Sequence, residues 1–472
     1  MRPSEITVIG GGLAGCEAAF AAARLGAKVR LYEMRPKTMT PAHLSGSLAE
    51  LVCSNSLKSL EALSAPWLLK REMLRLGSVT LPAAFEARVP AGANLSVDRA
   101  LFSAAVERSL AELPGIEVVH ERLDKIPEQG LVILATGPLT SEALASDLAT
   151  RLGQENLFFF DAIAPIVTME SLDMGACFAA SRWDRGGADY LNCPLSKEQY
   201  LAFVVGLLAA EKHPLKEFEQ GKYFEGCLPI EETARRGVET LRFGPMKPVG
   251  LIDPVTGQRP YACVQLRREN AAGTLFNLVG FQTQLKWGDQ EKLLRGIPAL
   301  KNAEFARFGS LHRNTYVNAP AQLEGGIRLK SEPRIFLAGQ LTGVEGYVES
   351  AGSGILAGIN AARSGMGLPM TNPPRNTMLG ALAHYLEDSD PRHFQPVNAM
   401  WGLVEPDGSS KKESKYMRFM RYRDRGIRDF EAWASTLGFP LASAEAVESL
   451  ARAQAAAAEE SRLKASSPLM QG

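Results

Sequence analysis

The first 135 residues alternate between short apolar runs and longer amphipathic stretches. Ile6-Thr7-Val8-Ile9 reads as a strand and leads into Gly10-Gly11-Gly12-Leu13-Ala14-Gly15. An alanine-rich helix is predicted from there to Leu25, with Gly26 placed to end it in the left-handed conformation. A second strand, Lys28 to Tyr32, stops at Glu33 and completes a βαβ unit. Residues 34–66 are rich in Ser, Pro and Gly and read as a long irregular loop of functional type. Ser96-Val97-Asp98 precedes a helix from about Arg99 to Leu113, which Pro114 stops. The strand Leu131–Leu134 then runs into Ala135-Thr136-Gly137.

The rhythm changes in the middle of the chain. From about Asp161 to Gly309 short strands mix with helices and Pro/Gly turns, without a repeated βαβ unit. A strand at Arg334–Ala338 follows, ending in Gly339. Gly343, Gly346, Gly352 and Gly354 lead into a helix to Arg363, which reads as the first domain resumed. A proline-rich link from Thr371 to Arg375 leads to a C-terminal helical segment.

The spacing Gly10-x-Gly12-x-x-Gly15 between a strand and a helix carries a specific chemistry. Gly10 permits a tight turn, Gly12 lets backbone approach a pyrophosphate, and Gly15 lets helix and strand pack closely. Gly11, Leu13 and Ala14 complete the turn at the helix N-terminus, where free N–H groups and the dipole favour an anion. Glu33, at the end of the second strand, is placed to bond ribose hydroxyls. A plain glycine turn would leave Glu33 unexplained. Thr136 and Gly137 after a buried strand suit a second crossing of the dinucleotide. Gly339 to Gly354, including Gly352, ahead of a helix suit a site near a flavin ring. These segments favour FAD over NAD, although ordinary strand-to-helix turns give the same glycines. The expected fold class is therefore α/β: a Rossmann-like FAD-binding domain with a parallel sheet, interrupted by an inserted α+β domain. Residues 1–160 and 310–435 form the two parts of the first domain, 161–309 the insert and 436–472 a tail that frays.

Composition narrows the rest. Of 472 residues, 46% are hydrophobic and 22% charged, as in ordinary globular proteins. Lys+Arg and Asp+Glu are both 52, so nucleic-acid binding would need a local basic patch. Residues Lys411 to Arg428 supply one: Lys411, Lys412, Lys415, Arg418, Arg421, Arg423, Arg425 and Arg428, interleaved with Tyr416, Phe419 and Tyr422. Such a face can grip phosphates and stack bases, or can be a solvated helix surface. The six cysteines form no CxxC pair, which argues against a zinc site. The longest apolar stretch, Tyr200–Ala210, is too short to span a membrane, and no leader is apparent, so a cytosolic protein with reduced thiols is expected. Cys53 sits in the long loop with Lys58 and His43 near in sequence. Cys227 sits in a turn before a helix, close to Glu231 and Glu232. Either is a candidate nucleophile, if a cation or helix N-terminus lowers its pKa, or a small buried residue. Cys16, Cys177, Cys193 and Cys263 read as core.

These residues also carry a resemblance. VIGGGLAGCEAA, HLSGSLAELVCSNSLKS, FEGCLPIEETARRG, RFGPMKPVGL, QLRRENAAGTLFNLVGFQTQLKWGDQ, HRNT and RIFLAGQLTGVEGYVESAGSGILAGINAAR resemble the folate- and FAD-dependent tRNA (uracil-5-)-methyltransferases, from residue 5 to about 430. The glycine motif and LAGQLTGVEGY are shared with a flavoprotein that installs carboxymethylaminomethyl groups on wobble uridines. That relative carries a longer C-terminal helical domain, for which this chain is too short. The resemblance implies C5 methylation of the T-loop uridine of tRNA, with carbon from 5,10-methylenetetrahydrofolate and flavin reduction by NADPH or NADH. It implies that Cys53 and Cys227 are the reactive residues, Cys227 attacking C6 and Cys53 its partner, or the reverse. His312, Glu345 and Tyr347 are the expected substrate-site residues. The tRNA T-arm is the expected partner, with no membrane and no obligate protein partner. A ribosomal-RNA methylating relative and a small-molecule flavin oxidoreductase are the competing readings.

Overall fold

Four apolar runs lie side by side at the centre of a seven-stranded sheet. Its order is Leu323–Glu324, Arg328–Leu329, Ile335–Leu337, Leu131–Leu134, Glu5–Ile9, Lys28–Glu33 and Ile116–His120. The pairings from Ile335–Leu337 to Ile116–His120 are all parallel. Helices cover both faces, so Val8, Leu31, Ile133 and Phe336 are fully buried, which is why these strands read as continuous apolar runs. Each such side chain contributes about 2 kcal/mol of burial. The computed structural model describes residues 4–40, 42–153, 157–184, 187–212, 228–406, 413–438, 440–443, 445, 447–453, 455 and 456, with backbone alone for 157–163, 184 and 310–314.

From Glu5–Ile9 the chain first adds Lys28–Glu33 on one side and later Leu131–Leu134 on the other. Strand order therefore reverses at the carboxyl end of Glu5–Ile9, where open α/β sheets form their ligand crevice. The helix Leu13–Arg24 starts there and packs along the helix Tyr347–Gly365. Their contact is close because small residues face each other. A Cβ at Gly354 would stand 2.2 Å from the Ala14 carbonyl oxygen, and one at Gly358 2.4 Å from that of Ala18.

A second, wholly antiparallel sheet of six strands runs Phe178–Ala180, Tyr190–Leu195, Ala262–Arg268, Leu275–Leu278, Ile166–Thr168 and Phe305–Arg307. It has its own core, with Val167, Cys193, Tyr200, Leu266 and Phe281 buried. The two chain crossings between the sheets, Leu157–Ile163 and Ser310–Tyr316, pair antiparallel with each other.

The long loop after the second strand is less irregular than its composition predicts. It contains the strand Ser56–Ser59, which joins Asn94–Val97 and Arg88–Val89 in a small antiparallel sheet, and Ser64 caps the helix Ala65–Arg75. Asp98 caps the helix Arg99–Glu112 through the N–H groups of Ala100 and Leu101. Toward the C-terminus, Leu437 and Leu450 are buried against the first core, so this part of the presumed tail is docked. Residues 457–472 lie outside the described residues.

Candidate active site

The crevice at the strand reversal holds about 1010 Å³ of space open to solvent. It brings together Gly10, Gly12, Leu13, Ala14, Glu33, Thr136, Gly137, Gly339 and Tyr347 from the expected set. Gly10 has φ +105°, and its Cβ would stand 2.5 Å from the Ala135 carbonyl oxygen. Gly15 is not in the crevice wall; its Cβ would overlap the Gly10 carbonyl oxygen at 1.8 Å, so it serves the close helix–strand approach. Gly12 is different: apart from its chain neighbours, none of the described residues lies within 4 Å of the position its Cβ would take, and the same holds for Gly137. The helix that starts after Gly12 has no side-chain cap and no acidic residue in its first turn. Its orphan N–H groups therefore face open space, and the residues present fit the pyrophosphate of an FAD.

Glu33 lines the crevice and is itself tightly held. Its carboxylate accepts from Gly11 N–H at 2.9 Å, from Arg35 N–H at 2.9 Å, and from Arg35 Nε and Nη2 at 2.8 and 3.0 Å. A carboxylate has about four acceptor positions, and here four donors, three of them from Arg35, share its two oxygens. Burial pushes the Glu33 carboxyl up, but the hydrogen bonds and charge of Arg35 outweigh it and hold it below the usual range. Gly352 stands outside the crevice wall. It lies inside the helix Tyr347–Gly365, and its Cβ would face Leu379, Leu69 and Met73, so it is a helix-packing residue.

The Cys53 loop closes one end of the crevice. Cys53 N–H donates to the Tyr347 hydroxyl at 2.7 Å, and the Cys53 carbonyl accepts from Arg99 Nη2 at 3.0 Å. Arg99 also donates to the Leu51 carbonyl and pairs with Glu269 at 3.1 Å. Asn55 spans from the same loop to the carbonyls of Arg268 and Glu269, at 3.1 and 3.3 Å. Both sides of the Cys53 backbone are thus held, one by the first core and one through the second sheet. The cations expected beside Cys53 prove to be others. His43 lines the crevice, but burial and Arg35 push its pKa down to about 4, so it is neutral at pH 7. Lys58 pairs instead with the fully buried Glu349, at 2.5 Å. Arg99 and Arg307 are the guanidiniums within electrostatic reach of Cys53. Sequence reading missed Arg35, Arg99, Glu269, Arg307 and Glu349. One signal was available: Arg99 opens a helix, where a cation opposes the dipole and is out of place without another task.

Glu345 is buried and accepts from Gln340 Nε2 at 2.6 Å; Gln340 lines the crevice. His312 lies in the ribbon opposite Asp161, and its side chain is outside the described residues. Cys227, Lys411 and Lys412 also lie outside them. Cys16, Cys193 and Cys263 are buried as expected, whereas Cys177 is part-exposed. The basic segment forms the helix Lys415–Ser435, whose Tyr422, Gly426, Phe430 and Ala434 face the core. Phe419 stacks on Trp401, so of the three aromatics Tyr416 alone is exposed. Arg421 is paired with Glu413 at 2.7 Å, and Lys415 and Arg418 remain solvent-facing.

Removing Arg99 tests the clamp. Arg99→Met keeps the aliphatic length and leaves the Glu269 carboxylate, 3% exposed, without its partner. The expected outcome is a loss of about 3 kcal/mol, read as a lower urea midpoint with FAD content retained. An unchanged midpoint would refute the clamp.

Among the described residues no helix is long and apolar enough to cross a membrane, and no cluster of His, Cys, Asp and Glu could hold a metal ion. The family described as glucose inhibited division protein A matches residues 5–369. The methylenetetrahydrofolate–tRNA-(uracil-5-)-methyltransferase TrmFO of Pelotomaculum thermopropionicum is 54% identical, covering 93% of this chain and 100% of its own. The enzyme of the same name from Geobacter sulfurreducens is 54% identical over 92% of this chain and 99% of its own. The solved structure of Aquifex aeolicus GidA superposes with a TM-score of 0.67 at 17% identity, over 95% of this chain and 76% of that one, a likeness of fold. The chain belongs to the glucose inhibited division protein A family and, with these relatives, to its methylenetetrahydrofolate–tRNA-(uracil-5-)-methyltransferases.

Proposed function

We propose that this protein methylates C5 of the T-loop uridine of tRNA in the cytoplasm, with the carbon drawn from 5,10-methylenetetrahydrofolate. The observation that carries the reading is the placing of Cys53 against Tyr347, a residue that itself lines the crevice fitted for FAD. Uracil C5 is a poor nucleophile until a thiolate adds to C6, which gives the ring enolate character and makes C5 carbanion-like. Cys227 is assigned that attack. C5 then captures the methylene carbon, Cys53 takes the C5 proton as tetrahydrofolate departs to leave an exocyclic methylene, and hydride addition to that methylene expels the Cys227 thiolate and restores the ring double bond. A bound FAD, reduced by NADPH or NADH, would supply that hydride. Gly10 to Ala14, Thr136, Gly137 and Gly339 hold that cofactor. Tyr347, Glu345 and His312 serve the folate and uracil side, and Lys415 and Arg418 meet RNA phosphate.

Incubating the protein with unmodified tRNA transcript, NADPH and carbon-labelled methylenetetrahydrofolate tests this. The expected product is labelled 5-methyluridine in the T-loop, absent without folate. Binding of tRNA should weaken steeply between 50 and 200 mM salt, as phosphate contacts demand. Flavin reduced by NADPH with no label in tRNA would overturn the tRNA assignment.

A further inference from the structure

Three aromatic rings form a ladder on the antiparallel-sheet side of the molecule. Phe305 packs on the core of the antiparallel sheet. Phe308 stacks on Phe305 with centroids 4.9 Å apart and planes 18° from parallel. Trp287 stacks on Phe308 at 5.7 Å and 14°. Near-parallel stacking of three consecutive rings is not required for burial, because aromatic pairs in cores also take edge-on geometries, as Tyr200 and Tyr261 do here at 61°. The ladder is anchored at one end and open at the other: Trp287 is 60% exposed. An indole held flat by the rings beneath it loses little freedom when another flat ring is added. A nucleobase gains affinity from such stacking whatever its identity.

The position of the ladder matters as much as its form. Arg307 lies between Phe305 and Phe308 in the chain. It reaches the Ala42 carbonyl with one long hydrogen bond, 3.4 Å, and has no ion pair among the described residues. Its guanidinium shares an electrostatic neighbourhood with Cys53, Tyr347, Arg99 and Glu269. A part-buried cation without an ion-pair partner among the described residues, next in sequence to Phe308 and bonded to the loop that carries Cys53, suits one phosphate of a strand whose bases lie on either side.

We propose that Trp287, on the Phe308–Phe305 ladder, is a stacking platform for an unpaired RNA base next to the uridine presented to Cys53, with Arg307 on the intervening phosphate. The proposal rests on the tRNA reading above. A uridine turned out of a folded RNA leaves its neighbour with a bare face. Trp287 covers that face and holds the strand open while the target base is in the site. The platform reads no base identity; it recognises an unstacked strand.

The test compares wild type, Trp287→Ala and Trp287→Phe, all FAD-loaded, with unmodified tRNA transcript. Trp287→Ala is expected to raise the Kd and KM for tRNA about tenfold or more, with NADPH-driven flavin bleaching at the wild-type rate. Trp287→Phe is expected to restore most of the affinity. Added tRNA should quench tryptophan emission in wild type and much less in Trp287→Phe, which keeps every other tryptophan. If wild type binds and methylates tRNA and Trp287→Ala does so equally well, the platform is overturned and the function stands. If wild type binds no tRNA, the functional reading falls and the platform with it.

Discussion

Cys227→Ala and Cys53→Ala proteins are each expected to bind FAD and accept electrons from NADPH while forming 5-methyluridine at least about 10³-fold more slowly than wild type. Removing a nucleophile from a covalent mechanism costs factors of this order or more, and members of one catalytic set lose activity non-additively. The double variant should therefore be little slower than either single one. The two variants should differ in what they trap. Without Cys227 no covalent adduct with 5-fluorouridine-substituted tRNA can form, whereas without Cys53 the adduct at C6 forms and is not resolved. Denaturing gels of protein with that RNA read the difference. Adduct formation by Cys227→Ala but not by Cys53→Ala would reverse the two roles. The Cys53 backbone predicts that this variant stays folded: the bonds to Tyr347 and Arg99 are made by its N–H and carbonyl, which alanine retains.

Two glycines of one motif should respond in opposite ways. Gly12→Val is expected to leave the apo-protein as stable as wild type and to lower FAD affinity by about 100-fold or more. Apart from its chain neighbours, none of the described residues lies within 4 Å of its Cβ position, and its φ of −74° is open to any residue. The added side chain fills space in front of the unsatisfied helix N–H groups, where the pyrophosphate belongs. Gly15→Ala is expected to destabilise the protein itself, by about 3 kcal/mol, because its methyl would stand 1.8 Å from the Gly10 carbonyl oxygen and must push strand and helix apart. Urea midpoints of the flavin-free proteins, with flavin titrations, separate the two effects. A Gly12→Val protein that retains full flavin affinity would remove the pyrophosphate from this crevice.

The contrast between Gly12 and Gly15 shows how far a motif can be read. Both positions follow from the spacing, yet their separate tasks appear only when neighbouring atoms are in place. Gly352 looked equivalent to Gly339 along the chain. In space Gly339, at φ +73°, turns the chain into the crevice, and Gly352 lies a turn and a half into a helix against Leu69 and Leu379. The basic run at 411–428 likewise looked uniform. Helix periodicity turns Tyr422 and Phe430 to the core and leaves Lys415 and Arg418 to solvent.

The sequence by itself determined the βαβ start, the parallel strands around it, the change to a different architecture in the middle of the chain and the two cysteine segments. Those features are local: apolar runs, glycine spacing and caps act over a few residues, and a composition shift is visible without folding. Only the tertiary structure decided which charges meet. Glu33 finds Arg35, Lys58 finds Glu349 across almost 300 residues, and Arg99 binds the Cys53 loop to Glu269 of the other sheet. The aromatic ladder is of the same kind, since Trp287 and Phe308 come from separate segments. Electrostatic partners and stacked rings are set by distance and burial, and sequence spacing carries neither once the chain crosses from one sheet to another.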